Sequence, residues 1–259
     1  MHQDAHSAPL PLTLITGASR GMGEAMALQC LDAGHAVVGI SRQRSAKLDA
    51  HPPAAGAWLQ QWQHDLSDPA AAGWALLEWL QAQPAGRYRS VSLINNAGLI
   101  APLMPLAEID PADTARALRV GLEAAMVLTG LFLRGTAGWT VPRKVLNVSS
   151  GLGRRAMAGS ASYCAAKAGM DHFTRAVALE EASQPNGARL VSLAPGVIAT
   201  DMQVQLRGAD PLLFPDRGNF IALHEQGQLQ SPEAAAARVL ACLARPDFGQ
   251  TVVADVREL

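Results

Sequence analysis

Three side chains in this sequence could do chemistry together. Tyr163 and Lys167 stand four residues apart, one helical turn, so a helix over this stretch carries both on one face. Ser150 lies upstream, at the end of the apolar run 145–148, which reads as a buried strand. A phenol, an ammonium and a hydroxyl converging where a strand ends beside a helix suit proton transfer. Ser150 would hydrogen-bond a substrate carbonyl oxygen. Lys167 would favour the phenolate and bring the pKa of Tyr163 down towards working pH. A tyrosine one turn before a lysine is common on solvated helices, but usage argues against chance here. The chain has two tyrosines, and lysines only at 47, 144 and 167, against eighteen arginines. Arginine cannot replace Lys167, because its guanidinium is bulky and does not deprotonate, whereas a lysine pKa shifts readily.

The elements that must position these groups read as alternating strands and helices. Residues 12–16 form a short apolar strand, followed by Gly17, Gly21 and Gly23, then a helix from Glu24 with Gly34 as its C-terminal cap. Strand, glycine-rich turn and helix together make a pyrophosphate site: the glycines let backbone approach closely, and the helix N-terminus supplies amides. Residues 36–40 form the second strand, followed by Ser41-Arg42-Gln43-Arg44 where an NAD site usually carries an acid for the ribose 2′-hydroxyl. With Arg20 inside the glycine turn, arginines and no acid point to the 2′-phosphate of NADP(H). Arg44 reads equally well as a solvated loop charge.

A third strand leads from 54 and ends at Asp65, whose carboxylate would meet an adenine amine. A helix spans 69–83, with Asp68 as its cap. The strand 91–94 runs into Asn95-Asn96-Ala97-Gly98, a small polar tetrad placed for a cofactor. A long apolar helix spans 112–134 with Gly121 inside. The helix 161–183 carries Tyr163 and Lys167. The strand 190–193 precedes Ala194-Pro195-Gly196. Residues 202–230, rich in Gly, Pro, Gln and Asp, read as a substrate-binding loop region. A helix over 232–244 and a strand over 251–254 close the chain. The fold class is α/β: one Rossmann-type domain over 10–259, a doubly wound parallel sheet of about seven strands with helices on both faces. Right-handed crossovers then gather every motif along the strands' C-terminal edge.

The bulk properties agree. In 259 residues, 49% are hydrophobic and the formal net charge is −1, with no long single-sign run, so neither nucleic acid nor an anionic membrane is indicated. No run reaches membrane-spanning length. Cys30, Cys164 and Cys242 show no metal or disulfide spacing, which suggests a reducing cytoplasm and no metal. Residues 1–9 read as a disordered tail without signal-peptide character.

The chain resembles the short-chain dehydrogenase/reductases over almost its whole length, through TGASRGMG (16–23), DL (65–66), NNAG (95–98), VSS (148–150), YCAAK (163–167) and APGVIATDM (194–202). The resemblance implies a carbonyl reductase with Tyr163 as general acid, Ser150 positioning the carbonyl, and Lys167 binding the nicotinamide ribose and tuning Tyr163. It implies cofactor contacts from Gly17, Ser19, Arg20, Gly21, Met22, Gly23, Ser41, Arg42, Asp65, Leu66, Asn95, Ala97, Gly98, Pro195, Gly196, Ile198 and Thr200. Within the family the second half is similar to sepiapterin reductases and their bacterial relatives, some of which reduce aromatic diketones such as benzil. That similarity implies a pterin or a vicinal diketone as substrate. Asp255 would anchor the guanidine-like edge of a pterin, or else be an exposed terminal charge. Leu99, Met157 and Met202 would give apolar contacts.

Gly121 stands where the family has an asparagine; glycine keeps the backbone carbonyl and tolerates a kink. A 3-oxoacyl thioester reductase, with Arg154, Arg155 and Arg207 at a basic entrance, is the alternative enzyme, and an NADP-binding regulator the non-enzyme alternative. The helices 112–134 and 161–183 are apolar over much of their surface and so read as buried; the resemblance implies that they pair across a twofold axis into a homodimer, or a homotetramer built from two.

Overall fold

The computed structural model describes residues 8–84 and 86–258. Most of the expected tail, 1–7, lies outside these. Seven strands make one parallel sheet in the order β3-β2-β1-β4-β5-β6-β7. β1 (Leu10–Thr16), β2 (Ala36–Ser41), β4 (Tyr88–Asn95), β5 (Arg143–Val148) and β6 (Arg189–Ala194) are short apolar runs, as strands covered on both faces require. Pro11 sits inside β1 although it lacks an amide hydrogen. The β1–β4 register slips between Leu10 and Pro11, which accommodates it.

Two apolar cores lie on opposite faces of the sheet. One packs Met26 and Leu31 of α1 (Gly21–Asp32) with Val239 of α9 (Pro232–Ala244). The other packs Leu76 and Leu80 of α3 (Pro69–Gln81) with Leu128 and Phe132 of α5 (Ala124–Gly135) and Val177 of α6 (Ala161–Ala182). α1 ends where expected: Gly34 has φ +80° and its amide donates to the Leu31 carbonyl.

Four local expectations need correction, and one short helix is unexpected. β3 (Trp58–Gln63) stops short of Asp65. Asp68 makes no side-chain cap on α3. β7 is Val253–Asp255, shifted towards the C-terminus from 251–254. α2 (Ala46–Ala50), capped by the Ser45 hydroxyl, has too few residues to show a period. The stretch 202–230 is largely helical, with α7 (Asp201–Gly208) and α8 (Arg217–Glu225) folded over the strand edge.

The long central helix is broken. α4 (Pro111–Leu118) passes through one wide π turn, Arg119–Glu123, into α5. Gly121 lies in that turn, buried against α6: a Cβ there would stand 3.2 Å from the Cβ of Ala166.

Candidate active site

One cleft of about 1250 Å³ runs along the C-terminal edge of the sheet. β1 delivers Gly17, Ser19, Arg20, Gly21, Met22 and Gly23 to it, β2 delivers Ser41 and Arg42, and the segment after β3 delivers Asp65 and Leu66. Ala97, Gly98 and Leu99 follow β4; Ser150 follows β5; Pro195, Gly196, Ile198, Thr200 and Met202 follow β6; Asp255 ends β7. α6 contributes Tyr163 and Lys167.

Two expected residues are not on the cleft wall. Asn95 is 3% exposed; its amide donates to Thr129 Oγ1 (3.1 Å) and Asn147 Oδ1 (2.8 Å), and Asn147 donates on to Thr174 (2.9 Å). A polar residue at a strand's end faces either the cleft or the interior, and here Asn147 and Thr129 supply the partners that pull it inward. Met157 is buried against Phe214, behind the wall.

The glycine turn fits a dinucleotide. A Cβ on Gly23 would meet the Gly17 carbonyl oxygen at 2.2 Å, and one on Gly17, at φ +68°, would lie 3.0 Å from Ala97 Cα. Asn96, expected only as part of the polar tetrad, locks this packing: its side-chain amide donates to the carbonyls of Thr16 (3.0 Å) and Gly17 (3.3 Å). The backbone amides of Asn96 and Ala97 both donate to Thr16 Oγ1 (2.9 Å each). Arg20 at the N-cap of α1 makes no side-chain cap, so the amides of the first turn are left for an anion. Ser41 Oγ, buried at the end of β2, has no hydrogen-bond partner among the described residues. That orphan donor fits a ribose or phosphate oxygen.

The arginines divide by what already holds them. Arg44 is bound by Asp49, which explains why it reads as an ordinary loop charge. Arg20 pairs with Asp201 at the head of α7, across the cleft. Arg42 is exposed on the cleft wall, its field helping to hold the Asp65 carboxyl below the usual range, after the larger effect of the Ser67 amide.

At the reacting end, Lys167 is 3% exposed and donates from Nζ to the Val148 carbonyl (2.6 Å). Its Nζ lies 5.6 Å from the Tyr163 ring centroid. Burial pushes the Lys167 ammonium down to about 8, opposed by the field of Asp171. Tyr163 corrects an expectation. Burial pushes its phenol up to about 12, partly offset by a hydrogen bond from Ser150. In the free protein Tyr163 is held as a proton donor rather than poised as phenolate.

Around Tyr163 lies a third apolar cluster, separate from both cores. Ile100, Leu103, Met157, Leu206 and Phe214 form it, with Leu152, Met202 and Phe220 packed on its edge. Ile100, Leu152, Leu206 and Phe220 face the cleft and were not singled out from the sequence; α7 and α8 supply two of them. Asp255 is 4% exposed, not a free tail charge. Its carboxylate is forked by Arg257 Nε (2.8 Å) and Nη2 (2.6 Å), with Arg154 Nη2 at 3.9 Å. Among the described residues no cluster of His, Cys, Asp and Glu could hold a metal, and no helix is long and apolar enough to cross a membrane.

Comparison with known proteins gives a consistent picture. A family model described as short chain dehydrogenase matches residues 11–210. A benzil reductase ((S)-benzoin forming) of Bacillus cereus is 34% identical over 245 residues, covering 95% of this chain and 98% of that protein. Its counterpart in Bacillus subtilis is 33% identical over 234 residues, covering 90% and 93%. Among solved structures, that of KRED1-Pglu superposes with a TM-score of 0.75 at 28% identity, covering 93% of this chain and 99% of its own.

Proposed function

The chain belongs to the short-chain dehydrogenase family, an oxidoreductase family acting on carbonyl and alcohol groups with nicotinamide cofactors, and from that premise we propose that it is an NADPH-dependent reductase of vicinal, aromatic diketones. The observation that carries the substrate is the apolar cluster packed around Tyr163, which gives an aryl group a dry wall beside the proton donor. The similarity to two benzil reductases supports the same reading.

NADPH, when bound, supplies the hydride. The glycine turn, Ser41, Arg42, Ala97 and Thr200 would hold it, with Arg42 taking the 2′-phosphate. Negative charge developing on the substrate oxygen is met by the Ser150 hydroxyl and the Tyr163 phenol. Tyr163 gives up its proton there, and the Lys167 ammonium favours the phenolate that remains. Lys167 would also hold the nicotinamide ribose, a role supported by its reach towards the tetrad after β4, where a Cβ on Gly98 would lie 4.0 Å from its Nζ.

A pterin side-chain ketone is the second reading, favoured by the burial of Asp255. The pterin edge would have to displace Arg257, which already occupies both carboxylate oxygens. That makes the diketone the better fit. For a thioester reductase, Arg155 lines the cleft, whereas Arg154 lies 3.9 Å from Asp255 and, like Arg207, is not on the cleft wall, which leaves one of the three arginines at the entrance. We further propose a homodimer built on α5 and α6, where Met126 and Leu179 stay 43% and 76% exposed; a monomer mass unchanged with concentration would refute it. Cys30, Cys164 and Cys242 are free thiols, which suits the reducing cytoplasm we assign.

The test is NADPH oxidation with benzil, sepiapterin and an acetoacetyl thioester, in wild type and Tyr163→Phe. Benzil should give the highest kcat/KM. Tyr163→Phe should lower turnover by about 10²–10⁴ with NADPH binding nearly unchanged. Near-normal turnover of every accepted carbonyl by Tyr163→Phe would show that another group is the acid.

A further inference from the structure

Asp171 stands on α6 one turn beyond Lys167, as Lys167 stands one turn beyond Tyr163. The reaction makes no use of it. It is 2% exposed and does not line the cleft. Ser192 of β6 donates its hydroxyl to Oδ1 at 2.6 Å, while Oδ2 has no hydrogen-bond partner among the described residues. The turn that follows Ser150 presses on this point. A Cβ on Gly153 would stand 2.8 Å from Asp171 Oδ2 and 2.9 Å from the Lys167 carbonyl oxygen. The carboxylate is thus enclosed by the helix of Tyr163 and Lys167, the turn of Ser150, and β6.

A buried ammonium and a buried carboxylate are each costly unless they face one another. The ammonium of Lys167 donates to a neutral carbonyl, Val148. The groups around it are the Tyr163 ring, the Val148 carbonyl and Gly98 after β4, with Asp171 one turn further along its own helix, too far for a direct ion pair. Of these, Asp171 alone carries a formal negative charge. We propose that Asp171 is the buried counter-charge of Lys167, a positioning residue that keeps its ammonium protonated at the floor of the cleft. Its field is the one that opposes the lowering of the Lys167 pKa by burial. The kinetic consequence rests on the reductase reading above; the titration itself does not.

The chain has only Lys47, Lys144 and Lys167, so carbon-13 labelling of lysine Cε gives three resonances to follow by NMR in the free protein. Lys167 should titrate near 8 in wild type. In Asp171→Asn, which keeps the shape, it should titrate at least about one unit lower, a tenfold weaker hold on the proton. The alkaline limb of kcat/KM should move by the same amount, with activity at pH 6 within about twofold of wild type. Ser192→Ala removes the hydrogen bond but keeps the charge, and should leave Lys167 within about 0.3 unit of wild type. An unmoved Lys167 in Asp171→Asn overturns the proposal, as does an activity loss equal at every pH. A fall of a full unit in Ser192→Ala overturns it too, whether or not Asp171→Asn folds. If the titration fails while benzil is still reduced, the reductase reading stands; the reverse pattern removes only that reading.

Discussion

The proposed preference for NADPH should rest on Arg42 more than on its neighbours. Arg44 is bound to Asp49, and Arg20 must leave Asp201 before it can serve a phosphate. Arg42 has neither encumbrance and stands on the cleft wall near the unpartnered Ser41 hydroxyl. A hydrogen bond to a charged group contributes about 1.5–3 kcal/mol. The rim is open, and screening should reduce that by about half. At about 1.4 kcal/mol per tenfold, Arg42→Ala should lower the NADPH-to-NADH ratio of kcat/KM by about three- to tenfold. Arg42→Asp sets a carboxylate against the 2′-phosphate and should lower the ratio further, to parity or reversal. Arg44→Ala, which opens only a surface pair, should change it by less than about twofold. The assay is initial-rate kinetics with both cofactors and one diketone at two ionic strengths; the preference should weaken at the higher one. An Arg42→Ala ratio within twofold of wild type, or a loss in Arg44→Ala as large as in Arg42→Ala, would refute the assignment.

Two further outcomes follow from the site. In the proposed mechanism, reduction needs protonated Lys167 and protonated Tyr163. Tyr163 keeps its proton to about 12, whereas Lys167 loses its own as pH rises through about 8; kcat/KM should therefore be level below that point and fall above it, and a profile level to pH 10 would contradict this. Asn95→Ala strands the Asn147 and Thr129 partners, at about 1–3 kcal/mol per buried group. It should lower the melting temperature by several degrees while leaving the KM for NADPH within about twofold; a raised KM with unchanged melting would return Asn95 to the cofactor site.

The sheet was legible because buried parallel strands are continuous apolar runs, and because glycine, proline and the NNAG tetrad mark where those runs end. The positions of Tyr163, Lys167 and Ser150 followed from helical spacing and sheet topology alone. What escaped depended on packing between distant segments. Nothing local distinguishes Asn95, which turns inward to Asn147, from Asn96, which turns to the glycine turn. The high pKa of Tyr163 comes from burial that α7 and α8 help create, and their weak periodicity read as loop. Asp255 looked like a free acceptor because its clasp by Arg257 depends on a two-residue backbone turn, held by the Arg257 amide at 3.0 Å. Asp171 gave no signal, since its significance lies in Gly153 and Ser192, far off in the chain.

The π turn at Arg119–Glu123 also changes how the neighbouring helices are phased. One surplus residue in a turn rotates everything after it by about 100° relative to an unbroken α-helix. In the sequence the buried positions Ala117, Gly121, Ala124, Leu128 and Phe132 nonetheless keep spacings of three and four residues through the turn. Read as one rod, the segment looks apolar nearly all round. Part of that breadth is the flank of Val127 and Leu131 that closes on Gly73 of α3, where a Cβ would stand 2.9 and 2.6 Å from them. The segment is in this sense spelled with one letter more than its helix needs, and its length is as much a part of the fold as its composition.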